Sequence, residues 1–328
     1  MTRSKVPSSR RGADDRGFRV GTGFFAFLVV LLVAGIGFEL FRTSHLTIAK
    51  FGFNFWRTKT WDPVSGEFGA LPFIWGTLYS SVLAMLISTP IAIGIAVFLS
   101  ELSPRPLRTL LTFLTELLAA IPSIVYGLWG VFVLVPIVRR LEVVTPVWLK
   151  KVPLFSGPPL GVGMLSAALI LAIMVIPFTS SVAREVLRAV PATQREAAYA
   201  LGATRWEAIR AAVYYGRTGI LGAVMLGFGR ALGETMAVTM VIGNNPQVTA
   251  SLFAPQHTMA AVIANEFTEA ADDLYLSALV EIGLVLFVLT IIINGISRFL
   301  IWRTGRVVLA REEPAVPPVP AAPAGASA

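Results

Sequence analysis

The segment GFGRALGETMAVTMVIGN, residues 227–244, places an arginine and a glutamate four residues apart inside an apolar run. The chemistry open to it is electrostatic. Arg230 can attract an oxyanion with a planar, permanently charged fork, and Glu234 can hold or release that fork. Thr235 and Thr239, one turn apart, offer hydroxyls to a polar solute or to the helix's own carbonyls. If the run is one helix, the two charges share a face. Arg230 then lies about 17–20 Å from either end, near the middle of a membrane. An arginine there costs about 2.5–3.5 kcal/mol on insertion scales. An ion pair offsets part of this cost. Basic-before-acidic is, however, the less favourable order within a helix, so helix stability alone does not account for the pair. Two readings stay open: a neutral pair that locks the bundle, or an anion path in which the guanidinium exchanges Glu234 for a passing oxyanion. Gly229 and Gly233 have the spacing that permits close packing on an adjoining edge.

The elements that must position these groups are membrane spans. Of 328 residues, 55% are hydrophobic and only 14% charged, with mean hydropathy +0.73; soluble chains carry about 25% charged residues. Apolar runs predict an all-α polytopic helical bundle of about six transmembrane helices, at 20–41, 73–99, 110–138, 160–182, 219–243 and 276–297. The absence of cysteine excludes disulfides, thiolate metal sites and cysteine nucleophiles. Two histidines, His45 and His257, far apart in sequence, leave a histidine-based zinc site or a Ser/His/Asp arrangement without support.

The first 19 residues hold six basic side chains, and the apolar run after them lacks an A-x-A cleavage pattern. They are therefore expected to precede a retained first helix at 20–41 rather than a cleaved signal. With that end inside, inside connections hold 18 Lys and Arg and outside ones 8, leaving Arg230 within a span. The bias orients both termini to the cytoplasm and accounts for the net charge of +8 without nucleic acid. Outside, 244–275 is acidic, and TMAAVIANEFTEAADDLYLSAL within and just beyond it reads either as an amphipathic surface helix or as a plain connector. The Pro/Ala-rich residues 312–328 are expected to be disordered. Pro122 predicts a kink beside Ser123 and Tyr126, with the Leu118 carbonyl losing its donor. Glu116 and Glu281 lie near span ends, within reach of water. No internal repeat is evident.

The longest inside connection, 183–218, is too long for a mere link. Thr193 with Glu196 and Thr204 with Glu207 form two capping-box patterns. They predict a helix running to Leu201, a left-handed Gly202 and a second helix. A DNA-reading pair of helices is excluded by its place between two spans. A surface displayed to a cytoplasmic partner is the better reading.

EAAYALG, Glu196 to Gly202, matches the E-A-A-x-x-x-G signature of bacterial ABC importer permeases. Together with AAIPSIVYGLWGVF (119–132) and GRALGETMAVTMVIGN (229–244), it makes residues 73–300 resemble the permease subunits of phosphate-specific ABC importers. The resemblance implies a type I importer permease core over 73–297 that passes inorganic phosphate and is not itself an enzyme. It assigns Glu196, Ala197, Ala198, Gly202 and Arg205 to coupling with an ATPase, and Arg230, Glu234, Thr235, Thr239 and Ser123 to the substrate path. It implies a second homologous permease, two ATP-binding cassette subunits and an extracytoplasmic phosphate-binding protein as partners, besides membrane lipid, with the chain in the bacterial cytoplasmic membrane. ATP and magnesium then belong to the partner, and no cofactor to this chain. In agreement, the sequence contains no G-x-x-x-x-G-K-[ST] phosphate loop. A permease for sulfate or molybdate, or an ATP-independent channel or secondary transporter, is the alternative. One departure stands out: where the family's loop closes on a Leu-Pro element, this chain has Val213, Tyr214, Tyr215 and Gly216, so the bend falls to Gly216.

Overall fold

The structure, a computed structural model, describes the backbone of residues 9–309 and the side chains of 17–304. The tail expected to be disordered, 312–328, lies outside those residues, as do residues 1–8 and the side chains of 9–16 in the basic segment 1–19.

The described chain is helical throughout, with only isolated bridges at Asp62–Glu67 and Gly243–Gln256. In order the helices are α1 Ser9–Thr43, α2 His45–Phe51, α3 Leu71–Val97, α4 Arg105–Ala120, α5 Ser123–Trp129 and α6 Val135–Val144. There follow α7 Val147–Lys150, α8 Met164–Ala189, α9 Ala192–Ala200, α10 Arg205–Tyr215, α11 Arg217–Leu232, α12 Met236–Val241, α13 Met259–Glu266 and α14 Asp273–Leu309. Wide π turns extend α3 over Phe98–Leu102 and join α5 to α6 over Gly130–Leu134. Among the described residues, five helical runs are long and apolar enough to cross a membrane: Gly17–Thr43, Leu71–Leu102, Ser123–Val144, Met164–Ala189 and Asp273–Thr304.

Two expected spans are corrected. The run 110–138 is not one helix with a kink. Ile121 is extended at ψ 130°, so the chain leaves α4 there and restarts at Ser123. Proline disfavours a helical conformation in the residue before it and cannot donate to the carbonyl one turn back. That carbonyl, Leu118, accepts instead from the Tyr126 hydroxyl at 2.8 Å. The amphipathic α4 has no buried residue, and buried Arg184 of α8 ties it down through Thr112 and through Glu116 at 3.2 Å. The run 219–243 is likewise two helices, α11 and α12, parted at Gly233–Thr235.

The chain divides into two compact units, each drawn from several segments. Within the described residues, the first takes the chain up to Tyr79, Gly127–Ala167 and Glu234–Leu289. Its core gathers Phe55, Phe68 and Phe73 with Met259, Leu279 and Ile282. Trp61 stands edge-on to Phe68 and Phe73, 4.9 Å from each, and donates its indole N–H to Glu266 at 2.9 Å. The Tyr275 hydroxyl donates to the same carboxylate at 2.6 Å. The acidic segment is therefore no amphipathic helix on the membrane surface: α13 buries Met259 to Val262 and ends at Glu266, before α14 begins.

The second unit holds Ser80–Tyr126, Ala168–Gly233 and the chain from Thr290 on. Here α11 lays a stripe of small residues, Gly219, Ala223, Gly227 and Ala231, against α8. A Cβ on Gly219 would strike Val186, and one on Gly227 would strike Val175 and the Thr179 hydroxyl. Ala223 and Ala231 are buried in the clusters around Leu187 and Val175. Residues four apart lie on one face, so this stripe lets the two backbones approach. The expected pair, Gly229 and Gly233, marks no tight approach: a Cβ on Gly229 would meet no atom within 4 Å, and one on Gly233 only the Gly229 carbonyl at 3.9 Å. Gly227→Ala is therefore expected to cost about 1–3 kcal/mol by overpacking, seen as a lower melting temperature in detergent. Gly229→Ala should be harmless; equal loss in both variants would refute the stripe.

Candidate functional site

The break between α11 and α12 changes the meaning of the two charges. They do not share a helix face. Arg230 lies in the last turn of α11, and Glu234 lies in the break just before α12. A helix end gathers unsatisfied carbonyls at its C-terminus and unsatisfied N–H groups at its N-terminus, which favours a cation at the first and an anion at the second. The order that is poor inside one helix thus suits the junction between two. Glu234 accepts from the Ala237 N–H of α12 at 3.4 Å. Neither charge takes part in an ion pair among the described residues.

Each group is placed within its own unit. In the second, Arg230 is exposed, 13 residues past the start of α11, or about 20 Å along its axis. Its guanidinium stands 5.8 Å over the Phe178 ring and within electrostatic reach of the Tyr126 hydroxyl. Ser123, at the start of α5, is half-buried, and its hydroxyl makes no hydrogen bond among the described residues. In the first unit, the Thr239 hydroxyl donates to the Thr235 carbonyl at 2.8 Å, so its proton is spent within the helix. Gly127 lets α12 come close, since a Cβ there would meet Met240 Sδ at 2.6 Å and Ala237 Cα at 3.1 Å. The two sequence stretches that carry the resemblance therefore meet at Gly127.

The long connection 183–218 folds largely as its spacing predicts, with one correction. Thr204 accepts from the Glu207 N–H at 3.4 Å, and the Glu207 carboxylate accepts from the Thr204 N–H at 2.8 Å. These bonds, the backbone one foremost, hold the Glu207 carboxyl below its usual range. Gly202 is left-handed at φ 81°, and the break before α11 falls at Gly216. The first capping box does not form: α9 starts after Pro191 with no side-chain cap, and its last residue is Ala200, not Leu201. Proline at that position presets the backbone for a helix start and leaves Thr193 inside the first turn. Glu196, Ala197 and Gly202 are exposed and Ala198 half-exposed; Tyr199, Leu201 and Trp206 add large exposed apolar surface.

What holds this loop was not apparent from motifs. The guanidinium of Arg195 grips both oxygens of Glu101, at 2.6 and 3.1 Å, and donates to the carbonyls of Leu187 and Val190 at the end of α8, both at 2.9 Å. Arg205 donates to the Glu101 carbonyl at 3.0 Å, and Arg108 to those of Ser100 and Ser103. Three arginines thus converge on the π turn Phe98–Leu102. The wider ring of a π turn leaves carbonyls without helical partners, and arginine's five donors can take several at once. Arg205, expected to serve coupling, is here a strut within that joint. The only prior signal for Arg195 is its place beside Glu196 in the loop motif.

Among the described residues no cluster of His, Cys, Asp or Glu could hold a metal. Burial pushes the His257 imidazole down to about 4, so it is a neutral core residue beside Phe73. Glu116 reaches water as expected, with its side chain 55% exposed. Glu281 does not: it is 2% exposed, because α2 and the turn after it cover that face of α14.

Comparison with known proteins places this geometry in context. A family model described as binding-protein-dependent transport system inner membrane component matches residues 88–306. A protein of Mesorhizobium japonicum, named phosphate transport system permease protein PstC, is 49% identical over 309 residues, covering 92% of this chain and 94% of the relative. The protein of the same name in Pasteurella multocida is 48% identical, covering 87% and 91%. Inward-facing structures of the MetNI methionine ABC transporter include a chain that matches with TM-score 0.54 and 16% identity, covering 71% of this chain and 94% of its own. At that identity the likeness is one of fold alone.

Proposed function

The chain belongs to the family of binding-protein-dependent transport inner membrane components, and we propose from that premise how its two charged constructions divide the work. It is a multi-pass permease subunit of a phosphate ABC importer, with a type I fold, and a transport subunit rather than an enzyme. Such a subunit implies an ATPase and further subunits beside it. The relatives' names favour phosphate over other oxyanions and an importer over a self-sufficient channel.

Arg230 is the group that draws the anion through hydrocarbon. The observation that carries this is its setting: an exposed arginine that makes no ion pair among the described residues, in the last turn of a helix that breaks within the expected fifth span. Broken backbone within a span is tolerated where it is buried in protein or lines a polar cavity. Glu234 caps α12, Thr239 spends its proton on its own helix, and Thr235 and Ser123 offer secondary polar contacts. Anion attraction therefore rests on one cation, strong enough to attract and too solitary to trap.

The exposed α9 is the segment that meets the ATPase, with Glu196, Ala197, Ala198 and Gly202 on the loop's surface. Motion delivered there reaches α3 and α8 through Arg195 and Glu101. The partners are a second homologous permease, two ATP-binding cassette subunits that carry ATP and magnesium, and an external phosphate-binding protein. Both termini lie in the cytoplasm, supported by the bias of basic residues.

The test is radiolabelled phosphate uptake by the assembled complex in vesicles. Uptake is expected to require ATP and to resist excess sulfate or molybdate. Uptake without ATP would favour the channel, and equal competition would make the path one for oxyanions in general.

A further inference from the structure

Beside the junction of α1 and α2, two adjoining cavities in the first unit share Phe41 and Ile48 as walls. One, of about 550 Å³, is also lined by Phe38, Arg42 and His45. The other, of about 260 Å³, is walled by Phe53, Trp56 and Leu284, and its single charged group is Glu281. One cavity thus offers cationic and imidazole groups, and its neighbour a lone carboxylate in an apolar wall.

That carboxylate is the anomaly. Glu281 is 2% exposed, and its Oε2 has no hydrogen-bond partner. One turn earlier, Ser277 accepts from the Thr47 N–H at 3.3 Å and donates to the Thr43 carbonyl at 3.1 Å, fastening α2 to α14 at this level. The Thr47 hydroxyl is also fully buried and also without a partner. A buried acceptor left unpaired is costly, and more so when charged. The Glu281 oxygen, in the wall of a cavity, marks a place for a donor that the described residues do not supply.

The surroundings state what that donor must be. Apolar walls call for an amphiphile, the carboxylate for a cation with N–H groups, and Arg42 for an anion beside it. Among the described residues the Arg42 side chain is engaged only by exposed Glu39, at a loose 3.6 Å, while its carbonyl meets the His45 ring at 3.0 Å. Depth agrees. Glu281 is eight residues past the start of α14, about 12 Å along the helix, while a headgroup layer is about 5–7 Å thick. Measured from the start of the candidate span at Asp273, that depth falls just below the layer, within reach of a tethered headgroup. We propose that the paired cavities bind a phospholipid with a primary-ammonium headgroup, its ammonium on Glu281 and its phosphate toward Arg42 and His45. Its acyl chains would lie along α1, whose Phe38 and Phe41 are exposed. A choline lipid lacks the N–H donors, and a glycerol lipid lacks the cation. The proposal stands independently of the phosphate path.

The full-length chain, in the assembly in which it is isolated, is delipidated in detergent. It is then offered equal amounts of phosphatidylethanolamine, phosphatidylcholine and phosphatidylglycerol with matched acyl chains, and bound lipid is counted by native mass spectrometry. Retention of phosphatidylethanolamine should exceed both others by at least about tenfold, and Glu281→Gln should erase the preference. Equal retention of the ethanolamine and choline lipids by the unaltered chain would overturn the proposal, whatever the variant does. So would preference for phosphatidylglycerol, or a preference that survives Glu281→Gln.

Discussion

Arg230→Gln is expected to cut phosphate uptake by roughly 10- to 100-fold, the equivalent of losing one hydrogen bond to a charged group, at about 1.5–3 kcal/mol. The complex should still insert and assemble. The physical reason lies in what Arg230 does not touch. It makes no ion pair among the described residues, so its removal orphans no carboxylate, and its one aromatic contact, Phe178 at 5.8 Å, is weak. The face of α11 that packs on α8 is carried by Gly219, Ala223, Gly227 and Ala231 instead. Arg230→Lys should recover part of the rate, since it restores the charge but not the planar fork. Uptake measured beside a co-purification assay separates the outcomes. A transporting Arg230→Gln complex would remove the conduit role, and a complex that no longer assembles would make the residue structural.

Arg195→Ala should be nearly as damaging, by a different route. The guanidinium makes four hydrogen bonds to two elements that the loop does not otherwise hold through side chains of α9. Its loss leaves Glu101, 11% exposed, without its cation, and strips donors from two carbonyls at the end of α8. Breaking a fully buried pair costs about 3–5 kcal/mol; Arg195 is 23% exposed, so about 2–3 kcal/mol is the fitting scale here. That energy falls on a small loop, which should become protease-sensitive while the spans stay folded. If motion passes through this joint, ATP hydrolysis should continue in the complex while uptake falls. A double variant, Glu101→Ala with Arg195→Ala, should cost less than the sum of the two single changes. Wild-type protease resistance and uptake in Arg195→Ala would show the joint to be dispensable.

Much of the site was legible because its signals are local. Gly202 takes the left-handed conformation because only a residue without a Cβ does so at no steric cost. Thr204 and Glu207 cap α10 because three residues separate them. Gly216 breaks the chain between α10 and α11 where the family uses proline. Thr193 and Glu196 have the same spacing and form no box, because Pro191 had already started the helix.

The remainder depended on neighbours that spacing cannot reveal. Gly229 and Gly233 carry the expected motif, yet Gly227 is the one in contact, since which face of α11 meets α8 is decided by packing. Arg195 and Glu101 are 94 residues apart and meet only because a π turn ends α3 beside the loop.

By itself, the sequence determined that this is a helical membrane chain with charges set in an apolar run and a capped, displayed loop, because hydropathy and capping act over a few residues. Only the tertiary structure decided that Arg230 closes one helix while Glu234 lies in the break before the next. An arginine in a last helical turn and a glutamate just past it have the same spacing as a pair on one face; the break at Gly233–Thr235, in which the glutamate lies, is what separates the two arrangements.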